Sequence, residues 1–287
     1  MLTDQEFNIF QSELKERSGI TIEKDKLYLL ESRLMPVAKK HGLEDLSALA
    51  QHISAPAGSA VINEVVEAMT TNETSFMRDS KPFKRFRELI LPDLMENKKN
   101  GRTIRIWCAA CSSGQEPYSL AIILDEMKEK LTGWTVEILA TDISEEMVER
   151  AKAGVYTQFE VQRGLSVQHL VKYFTQEEEK WIINPALKTP ITFNTFNLLD
   201  SYRQHGKFDI IFCRNVLIYF EKELKINILD RMSEVINPDG YLLLGGAETV
   251  LGLTEHWKPV PGFNGIYIDG ESDPKAKSEQ FMALAAE

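Results

Sequence analysis

Three cysteines in 287 residues are too few for a disulfide framework, which agrees with a reducing compartment. The longest apolar stretches, such as Tyr241 to Leu244, fall far short of the ~18 residues that a membrane span requires. The opening residues Met1, Leu2, Thr3 and Asp4 lack the charged and apolar regions of a signal peptide. A cytoplasmic protein with no direct membrane insertion is therefore expected. Glycine (16) and proline (11) are too sparse for a collagen-like or low-complexity chain. None of the five histidines stands at a paired ligand spacing, so no metal site is expected.

Positive charge is also short: 33 basic against 43 acidic side chains leave a net charge of -10. A phosphate backbone would repel such a chain, and nucleic acid is not an expected partner. Only residues 70–102 are net positive, with 8 basic and 5 acidic side chains. Lys81, Lys84, Arg85 and Arg87 lie there, either as a solvated helix face or as an attraction for an acidic partner. What is present is ordinary globular material, 43% hydrophobic and 26% charged, enough for one large domain or two ordinary ones.

Helical apolar spacing fills residues 1–69: Phe7, Phe10 and Leu14; Leu27, Leu30 and Leu34; Leu43, Leu46, Leu49 and Ile53; Ile62, Val65, Val66 and Met69. Gly19, Gly42 and Ala55-Pro56-Ala57-Gly58 punctuate it, which predicts an N-terminal bundle of about four helices. A polar connector and a linking helix follow over 70–102. From residue 103 to 270, strand-like runs alternate with helical segments, the pattern of a parallel α/β sheet. The runs are Ile104 to Ala109, Val136 to Thr141, Ile191 to Phe196, Phe208 to Cys213, Tyr241 to Gly245 and Gly265 to Ile268. Helices are predicted at Glu116 to Lys130, Glu145 to Ala153 and Glu221 to Ile236, with Ser144 as an N-cap and Asn237-Pro238-Asp239-Gly240 as a stop. Residues 154–190 are too long for a simple connection and predict an inserted subdomain. Residues 271–287 are left as a C-terminal tail.

The first strand runs into Ala110-Cys111-Ser112-Ser113-Gly114 and then Gln115-Glu116-Pro117, where a helix opens. Small residues let a ligand approach the backbone, but the single glycine departs from the dinucleotide fingerprint G-x-G-x-x-G. Glu116 would repel a pyrophosphate and attract an ammonium group. Asp142, ending the second strand, stands where this fold places a carboxylate on ribose hydroxyls; the lesser alternative is that it merely caps the next helix. One acid for an amine and one for a ribose describe a nucleoside that carries an amino acid, and S-adenosylmethionine is that ligand.

At this point the sequence resembles the chemotaxis receptor methyltransferases of the CheR type. The resemblance rests on Thr71-Asn72-Glu73-Thr74-Ser75-Phe76-Met77-Arg78, Ser113-Gly114-Gln115-Glu116-Pro117-Tyr118-Ser119, Ala140-Thr141-Asp142-Ile143, Asn197-Leu198-Leu199, and Phe212-Cys213-Arg214-Asn215-Val216-Leu217-Ile218-Tyr219-Phe220. Five motifs in one order, over most of the chain, are far more specific than any one of them. The resemblance implies an α/β fold: a Rossmann-like S-adenosylmethionine methyltransferase domain, an N-terminal all-helical domain and a small inserted β-subdomain. It implies methyl transfer to glutamate side chains on chemoreceptor cytoplasmic helices, with S-adenosylhomocysteine as product. It would put Glu116 on the methionine amino group, Asp142 on the ribose, Asn197 and Leu198 at the adenine, and Arg214 and Asn215 near the methionine part. Asn72, Thr74 and Arg78 would close the pocket. Cys111-Ser112-Ser113-Gly114 replaces the family's glycine-rich loop, and Gln115 stands where a second acid is common.

Methyl transfer to a carboxylate needs no base, since a glutamate is already ionised near neutral pH. Arg78 and Tyr219 are the candidates for orienting substrate and donor. Arg78 could instead pair with Asp79, and Tyr219 could be a core aromatic. Cys108 and Cys111, with Cys213 on another strand, read either as a redox or metal group or as small buried residues. Lys26, Arg33, Lys39 and Lys40 are candidate contacts for the receptor helix, or a solvated face. The stretch Thr175 to Pro185 has no glycine and carries Glu177-Glu178-Glu179, which would repel an acidic receptor tail; an enzyme independent of a C-terminal peptide tether is expected, acting as a monomer. The rival functions are a methyltransferase with another acceptor and a cofactor-binding signalling scaffold without turnover.

Overall fold

The computed structural model describes residues 2–55 and 59–286, so Pro56 to Gly58 of the punctuating stretch lie outside the described residues. The N-terminal helices are α1 (Asp4–Ser18), α2 (Leu27–Lys40), α3 (Leu46–Ser54) and α4 (Ser59–Met69). Helix α1 starts at a capping box in which Thr3 and Glu6 satisfy each other's backbone N–H groups, and it stops at Gly19, in the left-handed region at φ 75°. A side chain at Gly19 would meet Leu224 Cδ2 at 2.3 Å, so this turn also sets how closely α1 approaches the following domain. Phe10, Leu14, Leu34, Leu49 and Val65 meet in one apolar core, as their helical spacing requires.

Beyond the connector, α5 (Lys81–Arg85) runs through a π-helical turn (Phe86–Ile90) into α6 (Leu91–Asn97). The basic residues here are largely committed: Arg87 pairs with Glu126 at 2.6 Å and Arg85 donates to the Asn264 carbonyl at 2.5 Å.

The C-terminal domain continues with β1 (Thr103–Ala109), α7 (Gln115–Glu126), β2 (Thr135–Asp142) and α8 (Glu145–Ala153), which Ser144 caps through its hydroxyl. A subdomain follows: β3 (Val155–Thr157), α9 (Gln158–Gln162), α10 (Val167–Tyr173), β4 (Phe174–Glu177) and β5 (Lys180–Ile183). Then come β6 (Ile191–Thr195), β7 (Phe208–Cys213), α11 (Lys222–Val235), β8 (Ile236–Leu244), β9 (Trp257–Pro259), β10 (Ile266–Asp269) and α12 (Pro274–Leu284).

The main sheet has seven strands in the order β6-β2-β1-β7-β8-β10-β9. Five are parallel, but β10 runs antiparallel to both β8 and β9, which corrects the expectation of a wholly parallel sheet. A tight connection from β9 to β10 has no room for a crossover helix and so returns antiparallel. Both faces are buried. Ile104, Ile106 and Cys108 point into one core with α6 and α7; Trp107 and Ala109 point into the other with α11. Asn237 to Gly240 do end α11, yet they bulge within β8: Phe208 pairs with Ile236, and Ile210 already pairs with Tyr241. The subdomain is an antiparallel three-stranded sheet, β3-β5-β4.

Residues 271–286 are more than a tail. Helix α12 buries Phe281 against Tyr241 and Phe263, while Lys277 and Gln280 reach the buried Asp93 carboxylate, which also accepts from the Tyr241 hydroxyl.

Candidate active site

The carboxyl ends of β1, β2 and β7 open onto one cleft. Strand order diverges on either side of β1, and this is where open α/β sheets receive ligands. Ser18 and Ile20 at the end of α1, with Thr70 to Ser75 and Arg78 of the connector, form the opposite wall.

The loop after β1 does with Ala110 and Ser112 what a glycine-rich loop would do with glycine. Both residues are left-handed, at φ 65° and 49°, each at a cost of about 1–2 kcal/mol. Ser112 is held on two sides: its N–H donates to Asp142 Oδ2 at 2.7 Å, and its hydroxyl donates to the Asn72 carbonyl at 2.8 Å. One residue thus joins the β1 loop, the end of β2 and the connector. Ala110, Ser112 and Asn215 of the cleft, together with Met77, Asp79 and Ser80 beside Arg78, are six of the eight non-glycine residues with positive φ among the described residues. Strain of this kind persists where a binding site over-determines the backbone. Gln115 faces away from the cleft and accepts from the Ser113 hydroxyl at 2.9 Å, so the missing second acid changes the helix interior rather than the cleft.

Asp142 is buried, and burial raises its pKa against the pull of the Ser144 and Ser112 N–H groups. Its Oδ1 accepts from Ser144 N at 3.0 Å, but the cap of α8 is Ser144 itself. Each carboxylate oxygen retains a lone pair for a further donor. Glu116 lies in the first turn of α7, and burial raises its pKa while the Arg214 guanidinium opposes that rise. Arg214, with its side chain 1% exposed, donates from Nη1 to Glu116 Oε2 at 2.8 Å and from Nη2 to Asp79 Oδ2 at 2.8 Å and the Arg78 carbonyl at 3.0 Å. Its Nε is buried with no hydrogen-bond partner among the described residues.

Asp79 is therefore taken by Arg214. Arg78 has no carboxylate within ion-pair distance among the described residues, and it donates to the Glu73 carbonyl at 2.7 Å. Tyr219 is a half-buried wall of the cleft rather than a core aromatic. Asn72, Thr74 and Asn215 complete the lining. Asn197 and Leu198 are not brought into it. Asn197 lines an adjoining groove that shares Thr70 and Ile143 with the cleft, and its amide donates to the Arg17 carbonyl at 2.6 Å; Leu198 is buried in the core behind.

Glu248, beyond β8, escaped the sequence reading. Its buried carboxylate accepts from the backbone N–H groups of Asn215, Val216, Leu217 and Gly245 at 2.7–2.9 Å, and so fixes the loop that carries Arg214, Asn215 and Tyr219. The signal was an acid just past the carboxyl end of a parallel strand, as at Asp142, but three of its four partners lie more than thirty residues away. Cys108, Cys111 and Cys213 are free and buried, and burial holds all three thiols protonated. Among the described residues no group of His, Cys, Asp and Glu side chains could hold a metal, and no helix is long and apolar enough to cross a membrane.

Two family descriptions match the sequence: "CheR methyltransferase, SAM binding domain" over residues 72–265 and "CheR methyltransferase, all-alpha domain" over residues 5–70. The chain belongs to the CheR methyltransferase family. It is 40% identical to chemotaxis protein methyltransferase Cher2 of Pseudomonas putida and 42% identical to chemotaxis protein methyltransferase 1 of Pseudomonas aeruginosa, in each case over 91% of this chain and 96% of the relative. The chemotaxis protein methyltransferase of Vibrio parahaemolyticus is 42% identical over 90% of this chain and 94% of that protein. Among solved structures, PKMT2 from Rickettsia typhi in complex with AdoHcy aligns over 61% of this chain and 26% of that one, at 16% identity and a TM-score of 0.36, too distant to bear on the site. The protein is thus an S-adenosylmethionine-dependent methyltransferase of the chemotaxis family. The cleft suits that cofactor: two buried carboxylates with acceptor capacity face it, and the adjacent Arg214 Nε lacks a partner.

Proposed function

We propose that this methyltransferase esterifies glutamate side chains on the cytoplasmic helices of chemoreceptors, in the cytoplasm, as a monomer, and without first capturing a receptor's C-terminal peptide. The observation that carries the acceptor class is the name shared by relatives that match over nine-tenths of both chains, chemotaxis protein methyltransferase.

When bound, S-adenosylmethionine would supply a sulfonium methyl for in-line attack by a carboxylate oxygen, the S–C bond breaking as the C–O bond forms, with S-adenosylhomocysteine as the leaving group and no proton moved. The residues therefore need to align and to exclude water. In this reading Glu116 holds the methionine ammonium and Asp142 the ribose hydroxyls. Arg214 and Asn215 border the methionine part, and Asn72 and Thr74 close the pocket. Asn197 and Leu198 bound the adenine end through the groove that adjoins the cleft at Thr70 and Ile143. Arg78, uncommitted to any carboxylate, orients the acceptor, and Tyr219 aligns the methyl donor. We take 1–69, 70–102 and 103–270 as the domains, with the β-subdomain at 154–190.

Two of the four candidate cations, Lys26, Arg33, Lys39 and Lys40, are already engaged. Arg33 donates to the Met69 and Thr70 carbonyls at 2.9 Å and so caps α4, and Lys40 pairs with Glu64 at 2.9 Å. Lys26 and Lys39 remain the candidate receptor contacts in this domain. Tether independence is supported by the tip between β4 and β5, where Glu177, Glu178 and Glu179 meet without glycine.

The test is incubation with labelled methyl donor and receptor cytoplasmic fragments, with and without the C-terminal tail. Base-labile label on glutamates, at equal rates with and without the tail, is expected. Cofactor binding without transfer would favour a scaffold. Label on another acceptor alone would displace the receptor, and a strong tail requirement would overturn the untethered reading.

A further inference from the structure

Beside the cleft, on the same end of the sheet, a second groove runs between the loop after β7, the start of α11 and the loop after β8. Two of its lining side chains are large, apolar and exposed, Ile218 at 45% and Leu251 at 66%. Two more are lysines. Neither Lys222 nor Lys225 has a carboxylate within 4.0 Å among the described residues, and the neighbouring Glu221 is held by Lys15 at 2.7 Å. Glu248, the carboxylate in the described lining, is turned inward onto four backbone N–H groups. The groove is therefore an apolar strip flanked by uncompensated positive charge, on a chain whose net charge is -10.

We infer that this groove seats the acceptor segment as an acidic, amphipathic helix whose methylated glutamate enters the cleft past Tyr219. The inference deepens the proposed function and rests on it. Continuity argues for it: Ile218 and Tyr219 are adjacent in one short helical turn, Leu217–Tyr219, so the groove begins where the cleft wall ends. Geometry argues for it as well. On a helix, side chains three or four positions from the acceptor glutamate lie one turn away on the same face, where apolar ones would meet Ile218 and Leu251. Acids flanking that face would meet Lys222 and Lys225, and such charge complementarity sets register and encounter rate. Glu248 makes groove and cleft one preformed unit, because its carboxylate holds the backbone of 215–217 from beneath both.

The test compares the wild-type protein with the double variant Lys222→Glu/Lys225→Glu and with Leu251→Ser, using labelled S-adenosylmethionine and a receptor cytoplasmic fragment at low salt. S-adenosylhomocysteine affinity, measured by calorimetry, reports the fold. The double variant is expected to raise KM for the fragment about tenfold or more and to flatten its salt dependence, with kcat within about twofold and cofactor affinity unchanged. Leu251→Ser should raise KM about threefold, independently of salt. An unchanged KM in the double variant with normal cofactor affinity overturns the inference alone. Weakened cofactor affinity also overturns it, since the groove would then belong to the cofactor site. No methyl ester on any receptor fragment with the wild-type protein overturns the acceptor reading and this inference together.

Discussion

Arg214 and Glu116 lie 98 residues apart in sequence and meet at 2.8 Å on the floor of the cleft, the one brought by the end of β7 and the other by the first turn of α7. Asp79 of the connector adds a second carboxylate to the same guanidinium. The connector is therefore held to the sheet by charge. Glu116 keeps one oxygen, Oε1, outside that pair, and the proposed function gives the ligand's ammonium to this carboxylate.

The pH dependence of cofactor binding follows from Glu116. Burial raises its pKa, so the folded, ligand-free protein holds a proton there at mildly acidic pH that the unfolded chain would have released. Stability from this group is present below its unfolded pKa and is lost as pH rises through the folded one. An ammonium ligand reverses the preference and expels the proton. Calorimetry in buffers of different ionisation enthalpy should detect proton release on binding at mildly acidic pH and none at pH near 8, with affinity falling as pH drops. Identical proton counts in the Glu116→Gln variant would take Glu116 out of the ammonium site.

Asp142→Ala should weaken S-adenosylmethionine and S-adenosylhomocysteine alike, by on the order of 1.5–3 kcal/mol, or roughly ten- to a hundredfold. Part of that loss comes through Ser112 and Ser144, whose N–H groups lose their acceptor. Asp142→Asn retains one acceptor oxygen and should fall between. Unchanged calorimetric affinity would remove Asp142 from the ribose.

Arg78→Ala should lower kcat by about tenfold or more while cofactor affinity changes little, because among the described residues its side chain is engaged only by the Glu73 carbonyl and is left to meet the acceptor. Turnover at saturating fragment is the readout. A normal kcat would assign Arg78 to the architecture of the connector.

Gly164 tests the coupling of connector and subdomain. Its φ is 95°, and a Cβ there would stand 1.7 Å from the Phe76 carbonyl oxygen. Phe76 itself packs edge-on against Tyr156 at 5.0 Å and Phe174 at 5.5 Å, and Glu73 pairs with Arg163 at 2.5 Å. Gly164→Ala should lower the thermal midpoint, with more than about 1 kcal/mol from the left-handed backbone alone. It should also slow turnover, since Asn72, Thr74 and Arg78 share the displaced segment. A variant with the native midpoint and turnover would mean that the subdomain moves without the connector.

The elements visible in the sequence were those with a local cause. Apolar periodicity gave the N-terminal helices and the parallel strands, and Ser144 as a cap followed from one residue beside its helix. Asp142 and Glu116 were legible because each stands at a strand end or helix start beside small residues. Glu248 was not, because three of its four N–H partners come from another loop. Strands β9 and β10 returned antiparallel through a connection whose shortness only pairing reveals. Arg33 looked like a free cation on a helix face, whereas the end of α4, distant in sequence, supplies the carbonyls that occupy it.

Helix α12 bears on where this protein can be cut. The family match stops at residue 265, just before β10, and every residue of the cleft lies upstream. A chain shortened to that match would retain the whole binding surface on paper. It would also lose the strand that joins β9 to β8, expose the face of Tyr241 that Phe281 covers, and strand the Asp93 carboxylate in the interior without Lys277 or Gln280. A buried acid deprived of its cation is among the costliest single defects a core can carry. Strand β10 and helix α12, which contribute nothing to the cleft, are therefore needed for the catalytic half to fold.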